Sequence, residues 1–343
     1  MSGSWKGTLP ALLVVGGVAL GLFVGQPEAQ PKNILVSKKV AAGPTLDGMM
    51  KDAYKDAPPL TVKAVGGKNL PGGSSEMTIR SVHTDDTVYL LVQYKDPTQN
   101  FQRSPWQKQA DGSWKKLKDP NDKGGDNNLY YEDKFAWMWN INSPAFEKQG
   151  CMSTCHIGQG KPYGNKYTEN PGDRLDLWHL KNVRTGSVGQ MDDQYVDDTR
   201  YDKEKSPEAG RKSDPKTGGG YSDNQTEDKK MPKVALKGNK PAPPYWILDA
   251  EKEPFDDTKY KANDEVPGII VALFTGDRAD IATKILWKDG MWTYEIARKL
   301  VTGSEYDVQF KDLKKSYAFG VAVFDNAQVR HAYVPDAQFL KFK

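Results

Sequence analysis

Cys151-Met-Ser-Thr-Cys155-His156 holds both cysteines of this 343-residue chain, and a histidine follows the second at once. Two thiols beside an imidazole are the groups that anchor a c-type haem. The thiols add across the haem vinyl groups, and the histidine becomes an axial ligand of the iron. The usual spacing leaves two residues between the cysteines, whereas here three stand between them. The longer loop keeps the Cys155-His156 junction, which sets the iron geometry. A disulfide over so short a loop is one alternative, though often a strained one. Half of a zinc site is the other. Zinc takes four ligands, and only His83, His179 and His331 remain, none at zinc-ribbon spacing. The pattern therefore points to one covalent haem c on Cys151 and Cys155, with His156 on the iron.

Such an iron needs a sixth ligand if it only transfers electrons. The candidates are His83, His179, His331 and nine methionines. Spacing alone does not choose among them, and a lone histidine more often serves as a hydrogen-bonding residue. Trp137 and Trp139 would pack either on the porphyrin or in the core, and stripes of period two favour the core. Arg298 and Arg330 stand at strand ends, as propionate partners or as ordinary surface charges.

The elements that position these residues read as strands. Val88, Leu90, Val92 and Tyr94 share one face, as do Phe135, Trp137, Trp139 and Ile141. Residues 268–274, 290–298 and 317–325 are β-branched or aromatic and bounded by Gly, Asp or Pro. Short strands separated by turns predict an all-β antiparallel sandwich. Residues 101–128 and 191–244 break the pattern with polar, glycine-rich sequence and read as long loop insertions within a single domain spanning 34–343. They would cover the haem pocket, meet a partner, or remain solvated.

Net charge is +3, from 48 basic and 45 acidic residues. No basic stripe marks a nucleic-acid surface. Gly218-Gly-Gly220 lacks the Lys-Ser/Thr of a phosphate loop. At the N-terminus, Lys6 precedes the apolar run Leu9–Val24, and polar sequence follows to Ala29. Residues 1–29 are read as an export signal, with a retained membrane anchor as the alternative. Either way the expected location is extracytoplasmic, in the periplasm or an equivalent compartment.

Leu46-Asp-Gly48, Tyr131-Glu-Asp133, Asp176-Leu-Trp-His-Leu-Lys181 and Gly290-Met-Trp-Thr-Tyr-Glu-Ile-Ala-Arg298 occur in an order that resembles the haem-binding γ-subunit family of ethylbenzene dehydrogenase. That family serves type II DMSO-reductase-like molybdoenzymes. The resemblance implies an electron-transfer subunit, not catalytic alone, between an iron–sulfur subunit and a soluble electron carrier, with a molybdenum subunit doing the chemistry. Members with non-covalent haem use a methionine and a lysine on the iron. The matching slots here look like His156-Ile-Gly158 and Asp325-Asn-Ala-Gln-Val-Arg-His331. The resemblance therefore implies His156 and His331 as the axial pair, with His179 in support. Within the family, the insertions and covalent haem look most like the γ-subunit of a nitrite oxidoreductase. A free-standing cytochrome is the alternative. Leu46-Asp-Gly48 and the strand pattern also resemble family 9 carbohydrate-binding modules.

Overall fold

The computed structural model describes residues 1, 3, 33–126, 129–154 and 166–343. Cys155, His156 and the N-terminal run read as an export signal lie outside the described residues. The described residues from Asn33 to Lys343 belong to one compact unit. Among the described residues no helix is long and apolar enough to cross a membrane.

One hydrogen-bonded network of 13 strands dominates the fold. Its strands are β1 Ile34–Lys39, β2 Leu60–Val65, β3 Ser74–His83, β4 Thr87–Lys95, β5 Lys134–Asn140, β6 Leu175–Lys181 and β7 Asp192–Val196. They continue with β8 Arg211–Ser213, β9 Ala282–Lys288, β10 Met291–Lys299, β11 Ser316–Phe324, β12 Ala332–Tyr333 and β13 Gln338–Phe342. One run is ordered β8-β7-β6-β5-β11 and the other β2-β3-β4-β10-β9, with β12 bridging β11 to β2. Only β1, which pairs with β13 and β3, runs parallel to its neighbours.

Alternation along each strand sends one set of side chains between the two runs. Val88, Leu90, Val92, Tyr94, Phe135, Trp137, Trp139, Trp292, Tyr294, Ile296, Phe319, Val321 and Val323 belong to one buried core. The result is an all-β antiparallel sandwich. The rings of Trp137 and Trp139 stack 5.1 Å apart at 13° inside it. Each such ring removes roughly 150–250 Å² from water, worth on the order of 4–6 kcal/mol before entropy is counted.

Both polar stretches carry structure. In the first, Trp106–Lys108 and Trp114–Lys116 pair with each other, and the former with Glu265–Val266. Trp106, Trp114, Tyr260 and Val266 form a satellite core there. The second departs from a plain loop. It contributes β7 and β8 to the main sheet, and Gly218–Asp223 pairs with Ile269–Thr275. The sequence of β7, Asp192-Asp-Gln-Tyr-Val196, lacks apolar alternation because both of its faces meet polar surroundings.

Where β4 and β11 end, Asp96, Asp133 and Asp325 bring buried carboxylates within 4.8 Å of one another. Donors cover most of them. Asp133 accepts from Asn100 N and Asn326 N, each at 2.8 Å, and from Trp292 Nε1 at 3.2 Å. Asp96 accepts from Thr98 N at 3.0 Å. Burial first, and then the Asp325 carboxylate, push Asp96 up to about 7. A raised folded pKa stabilises below the unfolded value near 4, and that contribution is lost as pH rises through about 7. Asp96→Asn is accordingly expected to raise stability at pH 8 by on the order of 1 kcal/mol and to change little at pH 4. Denaturant melts at the two pH values check this, and no gain at pH 8 would contradict it.

Candidate functional site

On β5, β6, β7 and β11 the alternate residues face away from the core, and register lines them up in rows. Ala322 stands opposite Ala136, Ala136 opposite His179, and His179 opposite Asp192. In the next row Gly320, Met138, Leu177 and Gln194 follow one another. Across β11 and β5 this outer face is therefore paved with a glycine and two alanines. A cavity of about 300 Å³ opens over it, walled by Val196, Phe324, Tyr333 and the residues described next.

Cys151 reaches the cavity from the short helix Pro144–Gln149, whose first turn is capped by Ser143 Oγ accepting from Phe146 N at 3.4 Å. The chain then turns at Gly150, with φ of 56°, where a Cβ would meet Ala337 N at 2.9 Å. Only glycine fits both demands. Cys151 is buried beside Met138, Phe146 and Leu177. Its Sγ lies so close to the floor that a Cβ on Gly320 would come within 2.4 Å of it.

Two imidazoles also line the cavity. His331 Nδ1–H donates to Val329 O at 2.8 Å, and its ring centroid is 4.7 Å from that of Phe324. His179 is 5% exposed, with Nδ1 3.3 Å from Gln194 Oε1 and with Nε2 lacking any hydrogen-bond partner. Donation from Nδ1–H to Gln194 leaves the Nε2 lone pair in the cavity wall. Burial above all, and then the Lys181 and Lys134 cations, hold the His179 pKa well below the usual histidine range. A neutral imidazole oriented through its other nitrogen is the form that ligates a metal. His83 is not among the lining residues. It is buried on β3, with Nδ1 3.1 Å from Ser37 Oγ and its ring edge-on to Phe342. Met138 is the lining methionine.

The walls are strongly cationic. Arg103, Lys134, Lys166, Lys181, Arg184 and Arg211 line them, against Glu208. Lys181 is paired with Asp192 and Arg184 with Glu132, while Lys166 and Arg211 share Glu208 at 2.5 and 2.7 Å. Lys134 instead donates to the Gln328 carbonyl at 2.8 Å and lies 4.0 Å over the Phe324 ring. Burial first, and then the Arg184 cation, press its pKa well below the usual lysine range. A guest carrying carboxylates would offset the Arg184 repulsion.

Residues 51–334 match the family described as ethylbenzene dehydrogenase. The chain belongs to that family. No curated protein sequence matches it. Among solved structures, a family 9 carbohydrate-binding module from Caldicellulosiruptor kristjanssonii in complex with glucose aligns at 8% identity with a TM-score of 0.35. That alignment covers 90% of this chain and 95% of the other. A putative carbohydrate-binding protein from Bacteroides uniformis ATCC 8492 aligns at 8% identity and TM-score 0.31, covering 91% and 99%. Likenesses this low carry no argument about ligands.

In this member of the ethylbenzene dehydrogenase family two of the segments behind the resemblance supply lining residues, Tyr131 from one and Leu177, His179 and Lys181 from another, whereas Leu46–Gly48 and Gly290–Arg298 lie elsewhere. Asp176–Lys181 lies within β6, Gly290–Arg298 leads through β10, and Glu132 is buried against Arg184 at the rim. Cys151 and His331 meet in one cavity, and His179 joins them. One expectation needs correction, that for Arg298, while Arg330 fits its reading as a surface charge. Arg298 is 1% exposed and lies among carboxylates away from the cavity, and Arg330 is an exposed residue 3.4 Å from Asp126. Sequence reasoning passed over Lys134, Gln194, Arg211 and Gly320. A lysine opening an aromatic strand and a glycine inside an apolar one were signals for two of them.

Proposed function

We propose that this chain is the c-type haem subunit of an extracytoplasmic molybdoenzyme complex, relaying electrons between an iron–sulfur subunit and a soluble carrier. One observation supports this above others. The Cys151 thiol and the imidazoles of His179 and His331 converge on a single cavity paved by Gly320, Ala322 and Ala136. Cys151 and Cys155 would hold haem c as thioethers, with His156 and His331 as axial ligands. The bound group supplies reversible one-electron iron chemistry. The chain positions that group, keeps water from its face with Met138, Leu177 and Phe324, and offers propionates a cationic wall.

A second reading has its own support. The unpartnered Nε2 of His179 would make it, instead of His331, the sixth ligand. Family membership supports a place in a molybdoenzyme complex. The covalent attachment motif and long insertions favour the γ-subunit of a nitrite oxidoreductase. The apolar N-terminal run and the extracytoplasmic nature of haem attachment agree on location. Native isolation tests the proposal. The chain is expected to co-migrate with molybdenum and iron–sulfur proteins. Recovery solely as a monomer would point to a free-standing cytochrome.

A further inference from the structure

The strands that wall the cavity carry a second polar site on their opposite face. Asp176 of β6 and Asp193 of β7 turn inward with Trp178. Their carboxylate oxygens and that of Asp307, from the loop before β11, lie within 4.8 Å of one another, all buried. Asp214, directly after β8, faces Asp176 and Asp307, and Asp280, before β9, closes the rim. Arg298 answers them from β10. Its Nη2 lies 2.9 Å from Asp307 Oδ2 and 3.7 Å from Asp176 Oδ2, and its Nε lies 3.8 Å from Asp280 Oδ2. Five carboxylates thus gather around one guanidinium.

Hydrogen-bond donors do not make up the difference. Asp176 Oδ2 accepts from Val308 N at 3.0 Å, and Asp307 Oδ2 from Thr302 Oγ1 at 2.5 Å. Asp176 Oδ1, Asp193 Oδ2 and Asp307 Oδ1 have no partner. Nor does either oxygen of Asp214, a residue only 2% exposed that comes from a different element and points into the group, meet a donor from outside the cluster. Buried acceptors are normally satisfied, and buried charges are paired or bind metals. In the Asp96–Asp133–Asp325 triad amide and indole donors leave one oxygen, Asp96 Oδ2, without a partner. This cluster leaves six.

We infer that Asp176, Asp193, Asp214 and Asp307, with Asp280 at the mouth, bind a hard divalent cation, calcium. An all-oxygen set of several carboxylates suits calcium, whose coordination number and geometry are adaptable. Asp280, with 24% of its side chain exposed, marks a route in. Bound calcium would fasten β6, β7 and the end of β8 to the Asp307 loop, directly behind the strands that carry His179 and Gln194. The inference rests on these carboxylates and is independent of the haem.

Full-length protein stripped with EGTA and then titrated with CaCl2 provides the test, by calorimetry and metal analysis. One calcium per chain and a higher melting temperature with calcium are expected. Asp193→Asn and Asp214→Asn should each weaken binding by about tenfold or more. Asp228→Asn, at an exposed carboxylate outside the cluster, should leave binding unchanged. No calcium uptake and identical melting with and without the ion would overturn the site, and so would binding indifferent to the two cluster substitutions. Should those variants fail to fold, the titration of the unaltered chain decides.

Discussion

Full-length protein is expected to keep its haem through acidified-acetone extraction and to give a c-type pyridine haemochrome. Cys151→Ala should leave at most one thioether and shift the haemochrome band. Removing Cys155 as well should make all of the haem extractable. Complete release from the unaltered protein would contradict covalent attachment. The same spectra read the axial ligands. With two imidazoles on the iron the spectrum should be low-spin, and the potential should lie below that of a His/Met haem, because thioether ligation favours the reduced state. His331→Ala is expected to give a high-spin or ligand-exchanged spectrum with the haem still attached. If the low-spin spectrum persists and His179→Ala abolishes it, the orphaned Nε2 of His179 is the sixth ligand.

Gly320→Val is expected to empty the site while sparing the fold. Valine suits a strand, and the inner face of β11 keeps Phe319 and Val321 in the core. On the outer face the new side chain begins 2.4 Å from Cys151 Sγ. Close-packed surroundings yield little, and overpacking typically costs about 1–3 kcal/mol. The thiol and any ring lying on the floor must move. The haem-to-protein absorbance ratio should fall on the order of tenfold, since about 1.4 kcal/mol is a factor of ten. Far-UV circular dichroism should be unchanged. A normal ratio would mean that the haem lies somewhere other than over Gly320.

The fold was legible wherever a strand has one dry face. Val88 to Tyr94 and Phe135 to Trp139 alternate because the core is apolar and the other side is not. That logic fails for β7, which has a cavity on one side and carboxylates on the other, so both of its faces are polar. The thiol was singled out by its motif and His331 by the family resemblance, and both line the one cavity. His179 was read in a supporting role, and that its Nε2 has no hydrogen-bond partner appears only when the neighbours are known. Arg298 was misjudged for a related reason. Position at a strand end says nothing of the five acidic residues that three loops and two strands gather around it.

The cavity lies on the outside of a sandwich whose inner face holds the large aromatic residues. The chain therefore has what it needs to fold before any prosthetic group arrives. On the proposed reading, the order of events in biogenesis would be translocation, then a finished scaffold, then maturation. The attaching machinery would meet a folded client with its first thiol already against the floor, and quality control would have to judge cofactor loading separately from folding.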